Sequence, residues 1–506
     1  MKETIPDLLR LRAQTTPDKT FLYFHDLEVS YGQLHELTNR VARGLLELGV
    51  NKGDKVCVML TNRPEFVYLF LATPKLGAVL VPINVLLKAE EVQYIVNNSD
   101  ATTMVTESKF LPLIEAIRPV CPQLKQIVVV GDDAPAGMLS FTELLAAPPD
   151  ELDVPISPDD EMGIIYTSGT TGKPKGVVLT QGNYYINSWQ GAMVSGMNAD
   201  ERAMCILPLF HVNGQVVTIL MPMQGGGSMI LTEGFSPKTF FENLARYRAT
   251  TFSGVPTVYS ILLNLPDADQ YDLSSLRMCI CGAAPMPVEV FTRFEEKFHA
   301  KIIEGYGLSE GTCASTINPV EGKRKIGSIG LPFPGQELAI VDDNGQPLPA
   351  GQVGEIIIRG RNVMKGYYKN PEATAQTIRN GWLYTGDLGY YDEEGYFYIV
   401  GRKKEMIIRG GVNIYPQEIE QVLYQHPKVK EAAVIGLPDP IWGEEVGACL
   451  ILKEGETWDA ADVIAYCQSR LADFKCPRRV FFVDSFPRTA TGKIQKHLLS
   501  ESVLKS

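Results

Sequence analysis

Ile164-Ile165-Tyr166-Thr167-Ser168-Gly169-Thr170-Thr171-Gly172-Lys173-Pro174-Lys175-Gly176 is the most informative stretch of the chain. An apolar approach gives way to a loop crowded with hydroxyls, glycines and two lysines. Glycine lets backbone N–H groups converge on an anion, hydroxyls add donors, and a lysine ammonium can follow a phosphate as it moves. The spacing is not G-x-x-x-x-G-K-[ST], which disfavours a P-loop NTPase. The plainer reading, a flexible surface loop, also accounts for Gly, Ser, Thr and Pro, so the phosphate reading needs support elsewhere in the chain.

Toward the N-terminus, Leu34, Leu37, Val41, Leu45 and Leu48 recur at helical spacing before the apolar run 55–60. Residues 77–81, 103–105, 126–130 and 277–281 repeat the strand-like pattern with helical stretches between them. This alternation predicts a layered α/β architecture. From 341 to 360 the texture changes to Asp342-Asp343-Asn344-Gly345 and then Gly354-Glu355-Ile356-Ile357-Ile358, a turn-and-strand pattern that predicts a small β unit. The charged Gly401-Arg402-Lys403-Lys404 precedes a strand-like 406–408 and the turn pair Gly410-Gly411. A domain boundary is therefore expected at 401–404, between a large N-terminal domain over 1–400 and a small C-terminal one over 405–506.

At 506 residues the chain exceeds what one core usually organises, and 45% hydrophobic with 21% charged residues is ordinary for a folded protein. A net charge of -12 opposes a nucleic-acid partner, whose affinity rests on Lys and Arg neutralising phosphates. Met1-Lys2-Glu3-Thr4-Ile5-Pro6-Asp7 lacks the apolar core of a secretory signal, and no apolar run approaches the roughly 20 residues of a membrane span. The C-terminal Leu504-Lys505-Ser506 is not a peroxisomal tripeptide, so a cytoplasmic location is expected. The nine cysteines include Cys279-Ile280-Cys281, which lacks the two-residue gap of a redox or zinc pair, and they read as reduced core thiols.

Support for the phosphate reading comes from five further stretches: Leu207-Pro208-Leu209-Phe210-His211; Tyr306-Gly307-Leu308-Ser309-Glu310; Tyr384-Thr385-Gly386-Asp387; a run from Gly401-Arg402 to Gly410-Gly411-Val412-Asn413-Ile414-Tyr415-Pro416-Gln417-Glu418-Ile419-Glu420; and Pro487-Arg488-Thr489-Ala490-Thr491-Gly492-Lys493-Ile494. In content and order they resemble the signature motifs of the adenylate-forming superfamily, which comprises acyl-CoA synthetases, adenylation domains and beetle luciferases. Two departures stand out: Ser309 replaces the usual threonine and keeps its hydroxyl, and Val412 replaces a common glutamate, whose role is not carried over.

The resemblance implies ATP, Mg2+ and coenzyme A as cofactor and co-substrates, with nucleotide contacts at Thr167, Ser168, Gly169, Thr170, Thr171, Gly172, Lys173, Lys175, Gly282, Ala283, Ala284, Glu304, Gly305, Tyr306, Gly307, Ser309, Asp387 and Arg402. Tyr306 would flank adenine, Ser309 contact the α-phosphate, and Asp387 accept from both ribose hydroxyls, as an acceptor-only carboxylate can. Glu310 and Thr167 would hold Mg2+, a hard cation suited to oxygen ligands. Lys493 would bridge the substrate carboxylate and the nucleotide during adenylation, and Lys404 would be the hinge residue. His211 would border the acyl pocket and act in catalysis, the pocket being completed by Asn213, Gly214, Ser253, Gly254, Gly307 and Leu308, while Gly410 and Gly411 would lie on the CoA side.

The implied reaction is ATP-dependent ligation of a carboxylic acid to CoA through an acyl-AMP. Small and apolar pocket positions suit a medium- or long-chain fatty acid, with an aryl or arylalkenoic acid next. Transfer to a phosphopantetheinyl carrier protein is the main alternative fate. Val212, beside His211, leaves no acidic partner for an amino-acid ammonium, and a catalytically silent binding protein is opposed by competent residues at Lys175, Glu310, Asp387, Arg402 and Lys493. A homodimer is left open.

Overall fold

The computed structural model describes residues 3–131, 134–167, 173–282, 286, 288–488 and 494–505. Among these, four sheets organise the chain. The first runs, edge to edge, through Gly366–Tyr367, Lys175–Thr180, Glu161–Thr167, Val79–Pro82, Lys55–Met59, Thr103–Glu107, Gln126–Val130 and Leu139–Ser140. Its centre is parallel: Lys55–Met59 pairs in register with both Val79–Pro82 and Thr103–Glu107. Parallel strands need both faces covered. Val56 and Val58 accordingly join one core, with Leu34, Val41 and Leu45 of the helix Tyr31–Glu47 and Phe66 and Phe70 of Pro64–Leu76. Cys57 and Met59 turn to the opposite face and pack with Val92, Ile95 and Ile114.

The second sheet orders Leu331–Pro332, Thr316–Ile317, Lys301–Tyr306, Met278–Cys281, Thr251–Gly254, Arg202–Cys205, Ser228–Leu231, Thr20–Phe24 and Leu27–Ser30. Cys279 and Cys281 face a core with Phe252, Tyr259 and Phe294, while Met278 and Ile280 face the core shared with the first sheet. All nine cysteines are free and all but Cys313 are fully buried, as expected of core thiols.

The turn-and-strand texture after 340 folds as a smaller antiparallel sheet of Glu337–Val341, Gly354–Arg359, Trp382–Tyr391 and Ile378–Arg379, to which Phe397–Arg402 adds on Trp382–Tyr391. The chain leaves this sheet at Arg402 and enters the next at Ile407. There Val429–Asp439, Gly443–Leu452, Ile407–Arg409, Val412–Ile414 and Arg479–Phe482 make a C-terminal sheet. Helices Pro416–Tyr424 and Ala460–Gln468 cover one face through Ile419, Leu423 and Val463, and Lys496–Lys505 covers the other through Leu499 and Val503. The fold class is thus a large layered α/β N-terminal part with a small β unit, followed by a small α+β C-terminal part. No helix among the described residues is long and apolar enough to cross a membrane.

The strand Val79–Pro82 lies between Lys55–Met59 and Glu161–Thr167, so its packing supports the strand that leads into the glycine-rich loop. Leu80→Ala empties a site that is 2% exposed. A loss of about 2–5 kcal/mol is expected, read as a lowered urea unfolding midpoint.

Candidate active site

Glu161–Thr167 and Lys175–Thr180 pair antiparallel with Thr167 opposite Lys175, so the glycine-rich stretch joins two strands. A P-loop would instead open a helix. With a strand on its far side, anion binding here has to come from loop donors and lysines. Residues 168–172 of that loop lie outside the described set, as do Ala283, Ala284 and Lys493. Lys173 Nζ sits 5.4 Å from the centroid of Tyr94 and Lys175 Nζ 5.0 Å from that of Tyr367. Tyr367 also donates its hydroxyl to Glu310 Oε1 at 2.8 Å. Burial, and then the neighbouring Glu310 charge, push the Tyr367 phenol above its ordinary range, which keeps it a donor. A carboxylate and a lysine of the expected site therefore meet through one tyrosine.

Ser253, Gly254, Gly282, Glu304, Gly305 and Tyr306 lie at or just beyond the C-terminal ends of neighbouring parallel strands, with Gly254 opposite Cys281 and Cys281 opposite Glu304. Ligands of parallel α/β sheets bind at this edge. Glu304 is buried, and its Oε2 accepts from the Gly327 N–H at 3.1 Å. Burial raises its carboxyl to about 7. A side chain at Gly307 would put its Cβ 1.8 Å from the Cys313 carbonyl oxygen, so only glycine allows the chain to fold back there.

Asp387 joins two other expected nucleotide residues. It is 4% exposed, accepts the Tyr306 hydroxyl at 2.6 Å on Oδ2, and lies 3.0 Å from Arg402 Nε through Oδ1. Arg402 is its register partner across Trp382–Tyr391 and Phe397–Arg402. Tyr306 thus directs its hydroxyl to the carboxylate while its ring packs with Ile358 and Leu383.

His211 follows a tight turn, its N–H donating to Pro208 O at 3.1 Å, and its ring lies 4.8 Å from that of Phe210. Asn213 then opens a π-helix, Gly214–Leu220, a wider coil common at functional sites. Gly214 packs so close to Pro208 that a Cβ would lie 2.9 Å from its carbonyl oxygen. Asn213 Oδ1 is buried without a hydrogen-bond partner among the described residues. Leu308 packs beside Tyr306, Ile358 and Leu383.

Gly410 and Gly411 form the turn between Ile407–Arg409 and Val412–Ile414 at φ of 57° and 84°, where glycine is favoured. A Cβ on Gly410 would meet the Trp442 ring at 2.7 Å. Lys404 lies in the turn between Arg402 and Met406, whose N–H donates back to Arg402 O at 3.0 Å. The described ends of the segment carrying Lys493 pair with each other, Arg488 opposite Ile494.

No group of three or more His, Cys, Asp or Glu among the described residues could hold a metal alone. Glu310, whose carboxylate accepts from Tyr367, could still contribute to Mg2+, which is commonly held by one or two carboxylates together with substrate phosphates. Tyr367 and Tyr94 escape a sequence reading, because an aromatic beside charges has no diagnostic spacing.

Residues 9–368 match the AMP-binding enzyme family and 418–493 the AMP-binding enzyme C-terminal domain. The chain belongs to the AMP-binding enzyme family. It is 36% identical over 528 residues to a long-chain-fatty-acid–CoA ligase of Bacillus subtilis (strain 168), covering 99% of this chain and 94% of that protein. It is also 36% identical over 486 residues to a feruloyl-CoA synthase of Amycolatopsis sp, covering 96% of each. The solved anthranilate CoA ligase AuaEII in complex with anthranoyl-AMP superposes with a TM-score of 0.94 at 33% identity, over 100% of this chain and 99% of that one. This AMP-binding enzyme is an AMP-forming acid–CoA ligase that uses ATP and CoA.

Glu304 offers a test of the site's electrostatics. Its folded carboxyl, at about 7, holds a proton that the unfolded chain releases near 4.5. That contribution to stability is full below about 4.5 and is lost as the pH rises through about 7, a change of about 3 kcal/mol. Glu304→Gln should flatten the fall in unfolding midpoint between pH 5 and pH 7.5.

Proposed function

We propose that this ligase activates a medium- or long-chain fatty acid. Support comes from the small or apolar character of Gly214, Ser253, Gly254, Gly307 and Leu308, and from likeness to the Bacillus subtilis long-chain-fatty-acid–CoA ligase. A second reading, a hydroxylated arylalkenoic acid, is favoured by the buried, unpartnered Asn213 Oδ1 and by the feruloyl-CoA synthase relative. A site built to accept from a hydroxyl discriminates strongly against analogues that lack one.

In the adenylation step a carboxylate oxygen attacks the α-phosphorus of ATP and pyrophosphate leaves. The protein's part is positioning and charge compensation. Lys173 and Lys175, with the loop 168–172, hold the outgoing phosphates, and the Ser309 hydroxyl contacts the α-phosphate. Asp387 accepts from the ribose, with Arg402 and Tyr306 fixing its two oxygens, and Gly282, Ala283, Ala284, Glu304 and Gly305 line the adenine. Glu310 and Thr167 would hold Mg2+, which would offset charge on the phosphates. Lys493 bridges the carboxylate and the nucleotide. The thiol of CoA then attacks the acyl carbon and AMP departs with the bonding pair. For that step residues 401–404 act as the hinge between units 1–400 and 405–506, turning about Lys404 to bring Gly410 and Gly411 to the acyl-AMP, with His211 clearing the path.

Lys493→Ala should slow pyrophosphate release by about 10²–10³-fold while thioester formation from supplied acyl-AMP stays within about twofold. Equal loss in both half-reactions would remove Lys493 from its assigned role. A panel of straight-chain and hydroxycinnamic acids scored by pyrophosphate release decides between the two acids. Turnover of the straight-chain acids supports the first reading. Activity confined to the hydroxylated acids, abolished by Asn213→Leu, replaces it with the second.

A further inference from the structure

Directly after Glu310 the backbone takes a conformation that its sequence disfavours. Ser309–Gly311 form one short helical turn, and Thr312 then stands at φ 71° and ψ -60°. Positive φ is rare outside glycine, and for a β-branched residue it is an outlier. The Cys313 N–H donates to Gly311 O at 2.9 Å, which closes a γ-turn of the rare, strained form with Thr312 at its centre. Such strain persists only where the surroundings over-determine it, and it clusters at functional sites.

The surroundings here are explicit. Thr312 is fully buried and donates its hydroxyl to Asn362 O at 2.6 Å. Asn362, also fully buried, returns its Nδ2 to Gly311 O at 3.1 Å and to Ser315 Oγ at 3.3 Å. The Met364 N–H donates to Glu310 O at 2.8 Å, and three residues further along the same segment Tyr367 holds the Glu310 carboxylate. The segment 362–367 therefore grips the turn at Thr312, Gly311 and Glu310 in succession. It does so from the strand Gly366–Tyr367, which borders Lys175–Thr180 beside the glycine-rich loop.

We propose that Thr312 is a positioning residue of the adenylation step: its hydroxyl, clamped to Asn362, holds the γ-turn that sets Ser309 and Glu310 toward Lys175 and Tyr367. The proposal rests on the reading that Glu310 helps to hold Mg2+ with ATP. A glycine at 312 would reach the same angles without the anchor, whereas threonine supplies the anchor and bears the strain. Glu310 is needed while ATP is bound and until pyrophosphate has left, so a displaced turn affects adenylation and spares thioester formation.

The test uses the full-length enzyme and the variants Thr312→Val, Thr312→Ala, Thr312→Ser and Glu310→Gln. ATP binding is measured by calorimetry across a Mg2+ series, beside pyrophosphate release and thioester formation from supplied acyl-AMP. Thr312→Val and Thr312→Ala should shift the Mg2+ requirement for ATP binding upward in the direction of Glu310→Gln. Pyrophosphate release should fall by about 10- to 100-fold, with the acyl-AMP reaction within about twofold and Thr312→Ser restoring both readouts. Thr312→Ala serves alone if Thr312→Val does not fold. A wild-type Mg2+ requirement in the Thr312 variants, while Glu310→Gln shifts it, overturns the positioning role alone. An unchanged requirement in Glu310→Gln overturns the Glu310 reading and this proposal with it.

Discussion

The buried carboxylate of Asp387 ties together parts of the chain that the rest of the site depends on. Its two oxygens are held by Tyr306, which ends a parallel strand of the second sheet, and by Arg402, the last residue before the chain crosses to the C-terminal sheet. A nearly buried carboxylate needs charged or strongly polar partners, and these two supply them. The same contact fixes the small β unit against the edge where Gly254, Gly282 and Glu304 converge. It also sets the starting point of the 401–404 connection, so this sheet edge and the departure of the C-terminal part share one anchor.

Around that anchor the division of labour follows from chemistry. Lys175, Tyr367 and Glu310, the side proposed for the departing phosphates, meet in a cluster built from three distant segments. On the side proposed for the acyl group, His211 and Asn213 precede the π-helix Gly214–Leu220, which replaces ordinary helix. The C-terminal glycine pair sits in a turn of positive φ, and at Gly410 the Trp442 ring crowds the place a Cβ would take. Each of these places departs from regular secondary structure, as expected where geometry serves chemistry before stability.

Much of the fold was legible because the buried parallel strands are written as short apolar runs, from 55–60 to 277–281, at the positions where the sheets form. The motif residues were legible for a different reason: Asp387, Arg402 and Glu310 stand in stretches that resemble the signature motifs of the adenylate-forming superfamily. Their partnerships were not. Asp387 meets Arg402 through a register that contains an irregularity between Leu388 and Gly389, which composition does not encode. Tyr367 reaches Glu310 only because Gly366–Tyr367 adds to the edge of the glycine-rich strand pair, a long-range pairing of two residues. The π-helix depends on Gly214 packing against Pro208, and the γ-turn places a threonine where local preference predicts glycine. In each case a tertiary contact overrides a local rule.

The most direct measurement is the equilibrium affinity of Asp387→Asn for ATP beside that of the unaltered enzyme, by calorimetry at fixed Mg2+. The amide removes the charge facing Arg402 and presents a donor where two acceptors are needed. ATP affinity should fall by about 10- to 100-fold in a protein that remains folded, the loss expected for one charge-assisted hydrogen bond or more. A folded Asp387→Asn enzyme that binds ATP as tightly as the unaltered one would contradict the account.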